Sequence, residues 1–295
     1  MATASTSELK GLPAFRAFLE MIKFEHSIFA LPYALIGMMW ATPGFPGWRI
    51  FILILVAMVS CRTAAMTYNR ISDRDIDAKN ERTARRAIPA GLLSLRTTNL
   101  YFFGSMILFF GAAGLLNPVT LLLSPVAIFV TVFYSRTKRF TWLCHFWLGM
   151  SLGIAPAAAW IAVTGKLAVV PILLFGAVTF WTAGFDIIYA LQDEEFDKKN
   201  GLHSVPAAFG KVKALQISRG SHCVSLFFLG LALSVYGVGW IGVLAGIFAA
   251  GMLIYEQSLV KPNDLSKVNM AFFTLNGCIS VGVFLLLLLD YLVTR

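Results

Sequence analysis

The chain has 295 residues, 58% of them hydrophobic and 13% charged, with a formal net charge of +9. Soluble domains carry about 45–50% apolar and about 25% charged residues, so this composition excludes an ordinary soluble domain and implies an integral membrane protein. The four cysteines (Cys61, Cys144, Cys223, Cys278) show no CxxC spacing and read as small apolar fillers, which excludes a disulfide or zinc framework.

The N-terminal stretch Met1–Leu12 lacks the apolar core of a signal peptide. Residues 13–26 read as a surface helix that runs into the first span. A spanning helix needs about 20 predominantly apolar residues. Nine candidate spans follow, near 27–42, 48–68, 99–116, 118–134, 143–163, 168–190, 221–237, 239–257 and 269–291. The predicted fold class is therefore an all-α membrane protein of nine transmembrane helices in one domain over 1–295.

Connections alternate between very short ones (42–47, 117–118, 164–167, 236–239) and longer polar ones (69–98, 135–142, 191–220, 258–268). Only Arg49, Lys166 and Arg295 fall on the short-connection side, and Arg62 lies inside the second span. The other Lys and Arg residues lie on the long-loop side. Cytoplasmic loops carry the Lys/Arg excess, so the long loops and the N-terminus are expected in the cytoplasm. The positive charge thus reads as topology and attraction for anionic lipids and phosphates, with no nucleic-acid partner implied.

Two acid clusters end the second and sixth spans. The first reads Asn69-Arg-Ile-Ser-Asp73-Arg-Asp75-Ile-Asp77, and the second Asp186-Ile-Ile-Tyr189-Ala-Leu-Gln192-Asp193-Glu-Glu-Phe-Asp197. Asp73 and Asp193 are 120 positions apart, as are Asp77 and Asp197, which suggests an internal pseudo-repeat with halves near 13–134 and 143–257. At about 100° per residue, Asn69, Asp73 and Asp77 form one helical stripe. Asp193 and Asp197 each fall within about 20° of Asp186 around a helix in the same way. Asp75 faces away and should pair with Arg74 or another base. Glu194 and Glu195 lie off the second stripe and read as solvated charges.

Two carboxylate stripes facing one pocket suit Mg²⁺ completed by substrate phosphates. A diphosphate cannot sit on bare carboxylates, and metal ions reverse the sign and stabilise it as it leaves. Arg82, Arg86, Lys138 and Arg139 can neutralise the remaining charge. Asp186, at the end of a span, is a functional-site candidate by position. His26, His145, His203 and His222 show no ligand spacing and read as structural, with His203 close enough in sequence to the second cluster to be near the site. Lys23 and Glu25, at the start of span one, either pair with each other or line an acceptor pocket.

The order of Asn69–Asp77, Arg82–Gly91 (RTxxRxIPxG), Tyr134–Thr141 (YxxxKRxT) and Asp186–Asp197 (DxxYAxQDxxxD) resembles the UbiA superfamily of intramembrane aromatic prenyltransferases. The resemblance covers almost the whole chain. It implies a barrel-like helical bundle with cytoplasmic cap loops, opening sideways to the bilayer, in which Mg²⁺ on two Asp motifs binds an isoprenyl diphosphate. Carried over by position, Asn69, Asp73, Asp77, Asp193 and Asp197 become the metal and diphosphate site. Arg82 and Lys138 would touch diphosphate, Arg139 the acceptor's carboxylate, and Tyr134 would line the catalytic site. Many members carry Pro after that Tyr, where this chain has Ser135.

The stretch Lys23–Pro32 resembles a 4-hydroxybenzoate polyprenyltransferase branch, some members of which serve menaquinone pathways. The resemblance implies transfer of a polyprenyl group from its diphosphate to an aromatic acceptor, 4-hydroxybenzoate first and a menaquinone precursor second. It also implies an active site on the cytoplasmic side of a bacterial inner membrane. Chemistry through an allylic cation requires water exclusion and is served by aromatic faces, in which this chain is rich. The reading from another class is a membrane cation transporter. Transport sites lie near the bilayer midplane, whereas these acids lie at its edge. A non-catalytic scaffold would leave two registered clusters unexplained.

Overall fold

The computed structural model describes residues 9–22 and 29–294. Lys23, Glu25 and His26 lie outside the described residues. An interfacial helix α1 (Gly11–Met21) leads, and a short helix α2 (Leu31–Trp40) follows. The long helices are α3 (Trp48–Asp77), α4 (Leu95–Leu116), α5 (Pro118–Thr137), α6 (Cys144–Thr164) and α7 (Val169–Ala190). A 3₁₀ turn (Leu191–Asp193) and a six-residue helix α8 (Glu194–Lys199) come next. Then come α9 (Val205–Tyr236), α10 (Trp240–Leu259), a π turn (Met270–Leu275) and α11 (Asn276–Thr294).

Among the described residues, eight helices are long and apolar enough to cross a bilayer, and α2 is the shorter ninth at 10 residues. Part of the span expected at 27–42 falls in the undescribed segment. The helix at the expected span 221–237 starts well before it, after a break at Gly210 (φ 77°, ψ 164°), and a preceding helical turn begins at Val205, where Ser204 caps it through Ala207 N (3.3 Å) with Pro206 in that turn. Helical structure continues past the apolar part of that segment into the polar loop. Likewise α3, at 30 residues, is about 45 Å long, well beyond a hydrocarbon core of about 30 Å. Its last turns therefore project past the membrane and carry the first acid cluster.

Two of the short connections are closed by side chains that satisfy the free helix ends they join. Asn117 accepts from Thr120 N (2.9 Å) at the start of α5 and donates to the carbonyls of Ile161 and Ala162 in α6. Asp290 accepts from Gly239 N and Gly242 N at 3.0 and 2.9 Å, which closes the N-terminus of α10.

The central helix is α7, packed against α6 and α9, with Trp181, Phe185, Ile187 and Ile188 almost wholly buried. The α6–α7 approach is close because α6 presents Gly149 and Gly153 there. A Cβ on Gly149 would collide with the carbonyl of Thr179. Close helix contact through small residues is the usual way to gain packing where lipid supplies no hydrophobic drive. The helices enclose a cavity of 1110 Å³.

Replacing Gly149 by Ala should force α6 away from α7 and cost about 1–3 kcal/mol. Gly104→Ala on α4, where a Cβ meets nothing within 4 Å, should not destabilise. Thermal unfolding of both variants in detergent checks the pair, with a lowered midpoint expected only for Gly149→Ala.

Candidate active site

The cavity has one polar end. Asn69, Asp73 and Asp77 reach it from the projecting turns of α3, as their spacing predicts, and are 8%, 2% and 4% exposed. The continuity of α3 from membrane to Asp77 makes the stripe work. Asp73 accepts from Lys138 Nζ at 2.5 Å and from Asn69 Nδ2 at 3.2 Å. Its other oxygen, Oδ1, has no hydrogen-bond partner, and the nearest base is Arg139 at 3.6 Å. Both oxygens of Asp77 accept from Arg86 Nη1 at 2.8 Å. Asp75 is exposed and pairs with Arg74 at 3.2 Å, the partner expected for it.

The opposite wall is built differently from the expected single stripe. Gln192 Nε2 donates to the Tyr189 carbonyl (3.1 Å), and the chain tightens into the 3₁₀ turn, so α7 ends at Ala190. Asp193 and Asp197 still line the cavity, from the turn and from α8. Arg82 grips Asp193 with Nη2 at 2.5 Å and Nε at 3.2 Å, and its Nη1 donates to the Tyr189 hydroxyl at 3.2 Å. Burial opposes the Arg82 charge, but the Asp193 carboxylate outweighs it and holds the guanidinium more firmly protonated. Asp197 accepts from Ser204 Oγ at 2.8 Å. Burial, reinforced by the nearby Asp193 charge, still raises the Asp197 carboxyl above its ordinary range.

Glu194 corrects the sequence expectation. It is 8% exposed and pairs with Lys198 at 2.6 Å and, more loosely, with Lys211 at 4.0 Å. The break after α7 rotates it toward the start of α9, whereas Glu195 stays exposed. Arg139 is also placed otherwise than a substrate-contacting residue would be. It is exposed, donates to the Ser72 carbonyl at 2.5 Å, and does not line the cavity. Tyr134, Arg86, Lys138 and Asp186 all line it.

Three lining residues were not picked from the sequence. Arg62 sits inside the membrane part of α3, seven residues before Asn69 and so on the same face. Arg70 is 8% exposed, donating to Asn69 Oδ1 and to the Met21 carbonyl, both at 3.2 Å. His145 Nδ1 is 2.7 Å from Asp186 Oδ2, and its Nε2 accepts from Val205 N at 3.1 Å. The main-chain donor fixes the tautomer, so Nδ1 carries the proton that Asp186 accepts. The only sequence signal for Arg62 was its position, since an ionisable residue within a span is expected to face a polar interior. For His145 there was none, because its partner is 41 residues away.

Beyond the polar end the cavity is apolar and deep, lined by Ile54, Ala57, Phe109, Leu116, Leu123 and Ile161 among others. The UbiA prenyltransferase family matches residues 30–278 of the chain. The chain belongs to this family. It is thus a membrane prenyltransferase, and its UbiA fold extends over nearly the whole length. It is 31% identical over 241 residues to a 4-hydroxybenzoate octaprenyltransferase of Aliivibrio fischeri (strain MJ11), covering 80% of this chain and 82% of that protein. The apo structure of a UbiA homolog from Aeropyrum pernix K1 superposes with a TM-score of 0.83 at 33% identity, covering 90% of this chain and 98% of that one. A UbiA homolog from Archaeoglobus fulgidus bound to DMAPP and Mg²⁺ shares the fold, with a TM-score of 0.73 at 21% identity, covering 94% of this chain and 99% of that one.

In this UbiA prenyltransferase, no three of the described acid, His or Cys side chains converge as a ready-made metal cage. The acids stand as two pairs on opposed walls, most of them held by a base. Such pairs fit Mg²⁺, which takes one or two carboxylates and completes its shell with water and phosphate oxygens. Asp73 Oδ1, buried with no hydrogen-bond donor and with the Arg139 guanidinium 3.6 Å away, is the observation that leaves a place for a cation.

Removing Lys138 should leave the buried Asp73 charge offset only by the Asn69 amide and by Arg139 at 3.6 Å. With Lys138 partly exposed, the expected loss for Lys138→Met is about 2 kcal/mol. Adding Asp73→Asn should recover most of it. A double-mutant cycle on the unfolding midpoint measures the coupling.

Proposed function

We propose that this UbiA prenyltransferase transfers a polyprenyl group from its diphosphate to an aromatic acid of the 4-hydroxybenzoate type, for quinone synthesis. Mg²⁺ is the cofactor, held between Asp73 and Asp77 with Asn69 on one wall and Asp193 and Asp197 on the other. The reaction takes place at the cytoplasmic face of a bacterial inner membrane. The observation that carries this reading is the joining of two acid pairs and several bases to one end of a deep apolar cavity. A diphosphate head and an isoprenoid tail call for those two surroundings in that order.

Bound metal ions neutralise the diphosphate and act as Lewis acids toward it as it leaves. The chain's own residues supply the rest. Arg82, Arg86 and Lys138 now rest on Asp193, Asp77 and Asp73, and all three line the cavity. With a cation on the carboxylates, these bases would be free to donate to the diphosphate oxygens, as guanidinium and ammonium groups do well. We assign the acceptor's carboxylate to Arg62, which lines the cavity on the face of α3 below Asn69, in preference to Arg139, which does not line it. His145 and Asp186 lock each other at the same end and orient the wall between α6 and α7. The walls of Tyr189, Phe185 and Phe272 exclude water from the electron-poor carbon that forms as the diphosphate departs.

Purified protein in detergent, given a prenyl diphosphate, 4-hydroxybenzoate and Mg²⁺, should form the ring-prenylated acid. Chelation should abolish product and added Mg²⁺ restore it. Asp73→Ala and Asp193→Ala should each lose at least about 100-fold in turnover. Full metal-dependent turnover in both variants would show that the two walls are not the site. Arg62→Ala should raise the KM for the carboxylated acceptor while leaving that for prenyl diphosphate nearly constant. An equal rise for both would remove Arg62 from the acceptor subsite.

A further inference from the structure

Behind the aromatic side of the cavity lies a polar cluster that the chemistry above does not use. Glu256 on α10, Asn276 at the start of α11 and Trp181 on α7 are 0%, 0% and 2% exposed. The Asn276 side chain is fully engaged. Its Oδ1 accepts from Trp181 Nε1 at 2.7 Å. The two hydrogens of its Nδ2 are shared among Glu256 Oε1 (3.2 Å) and the main-chain oxygens of Ala271 (2.9 Å) and Phe272 (3.2 Å). Three elements of the bundle thus meet on one amide.

The two main-chain oxygens belong to the π turn Met270–Leu275. A π turn bonds i to i+5, is rare, and is found frequently at functional sites. Its carbonyls lie in an apolar interior, where a missing donor is costly. The Asn276 amide supplies two such donors from the side chain, so the turn and the clamp come as a unit.

The turn carries Phe272 and Phe273, and both line the cavity. The Phe272 ring lies 4.2 Å from that of Tyr189 and 5.3 Å, edge-on, from that of Phe185. Tyr189 in turn accepts from Arg82, which grips Asp193. The rings held by the turn therefore adjoin the polar end, beside the bond that breaks in the proposed reaction.

We propose that Asn276, backed by Trp181 and Glu256, is a positioning residue that fixes the π turn. Phe272 and Phe273 thereby form the water-excluding wall next to the reacting carbon of the prenyl diphosphate. This rests on the prenyl-transfer reading. Two fates compete for that carbon. Attack by the aromatic ring forms a carbon–carbon bond, releases diphosphate and sheds the ring proton. Attack by water gives the prenyl alcohol, diphosphate and a proton. A displaced wall admits water, so the ratio of alcohol to prenylated acid reports the wall. That ratio does not depend on how much of the enzyme is folded, which a merely structural role would change instead.

Asn276→Ala removes the clamp, Trp181→Phe removes one hydrogen bond while keeping a ring in place, and Glu256→Gln keeps an acceptor for the amide. The ratio should rise about fivefold to tenfold in the first and by a smaller but measurable factor in the second, the scale of buried hydrogen bonds lost. It should stay within about twofold of wild type in Glu256→Gln. If Asn276→Ala does not fold, Trp181→Phe decides alone. A wild-type ratio in every variant that turns over overturns the positioning role and leaves the function standing. A wild-type enzyme that consumes prenyl diphosphate with no acceptor product would overturn the function and, with it, this inference.

Discussion

Carboxylates buried at the end of an apolar bundle govern this structure. A lone carboxylate taken from water into such a place is strongly unfavourable unless charge and hydrogen bonds accompany it. Asp73 and Asp77 are nearly inaccessible, and the surroundings answer them residue by residue with Lys138, Asn69 and Arg86. The segment between α3 and α4 folds back over the cavity mouth because its arginines have partners there. Arg82 reaches across to Asp193, and Arg86 returns to Asp77. The cap is thus held down largely by charges that the active site itself requires.

That arrangement leaves a site in balance before any substrate arrives. Most of its acids have a base, but Asp73 Oδ1 accepts no hydrogen bond and Asp197 is met by the Ser204 hydroxyl. On the proposed reaction, a cation and a diphosphate arriving together would satisfy both sets of charges at once, whereas either alone would leave one sign uncompensated. The apolar remainder of the cavity then needs no polar chemistry. It needs depth, supplied by α3 to α6, and dryness near the reacting carbon, supplied by rings from α7 and the π turn.

Some of this was legible in the residues. The stripe Asn69, Asp73, Asp77 follows from helical spacing alone because α3 continues unbroken out of the membrane. Asp75 is set apart from it by the same geometry. The second stripe was only half legible, since the helix tightens after Ala190. The four motif segments marked the family, and the family comparison agrees over residues 30–278. Glu194 escaped because burial depends on where α9 begins. Lys138 and Arg139 are adjacent in sequence, yet successive residues at a helix end face different ways, and Arg139 bonds the Ser72 carbonyl without lining the cavity. The pairing of His145 with Asp186, and the Asn276 clamp, join residues far apart in the chain, which local pattern does not show.

The sequence by itself determined that the chain crosses a membrane many times, which end carries the charge, and which acids share a face of α3. Those properties are local. They depend on apolar run lengths, Lys/Arg counts and a repeat of 3.6 residues per turn. Only the tertiary structure decided which base meets which acid, that Arg62 faces the cavity and Arg139 does not, and that a widened turn presents two phenylalanines to it. Those outcomes follow from packing α6 against α7 and folding the cap across the mouth. Contacts between distant segments are fixed by shape and by the need to satisfy buried charge, neither of which is written in any single stretch of residues.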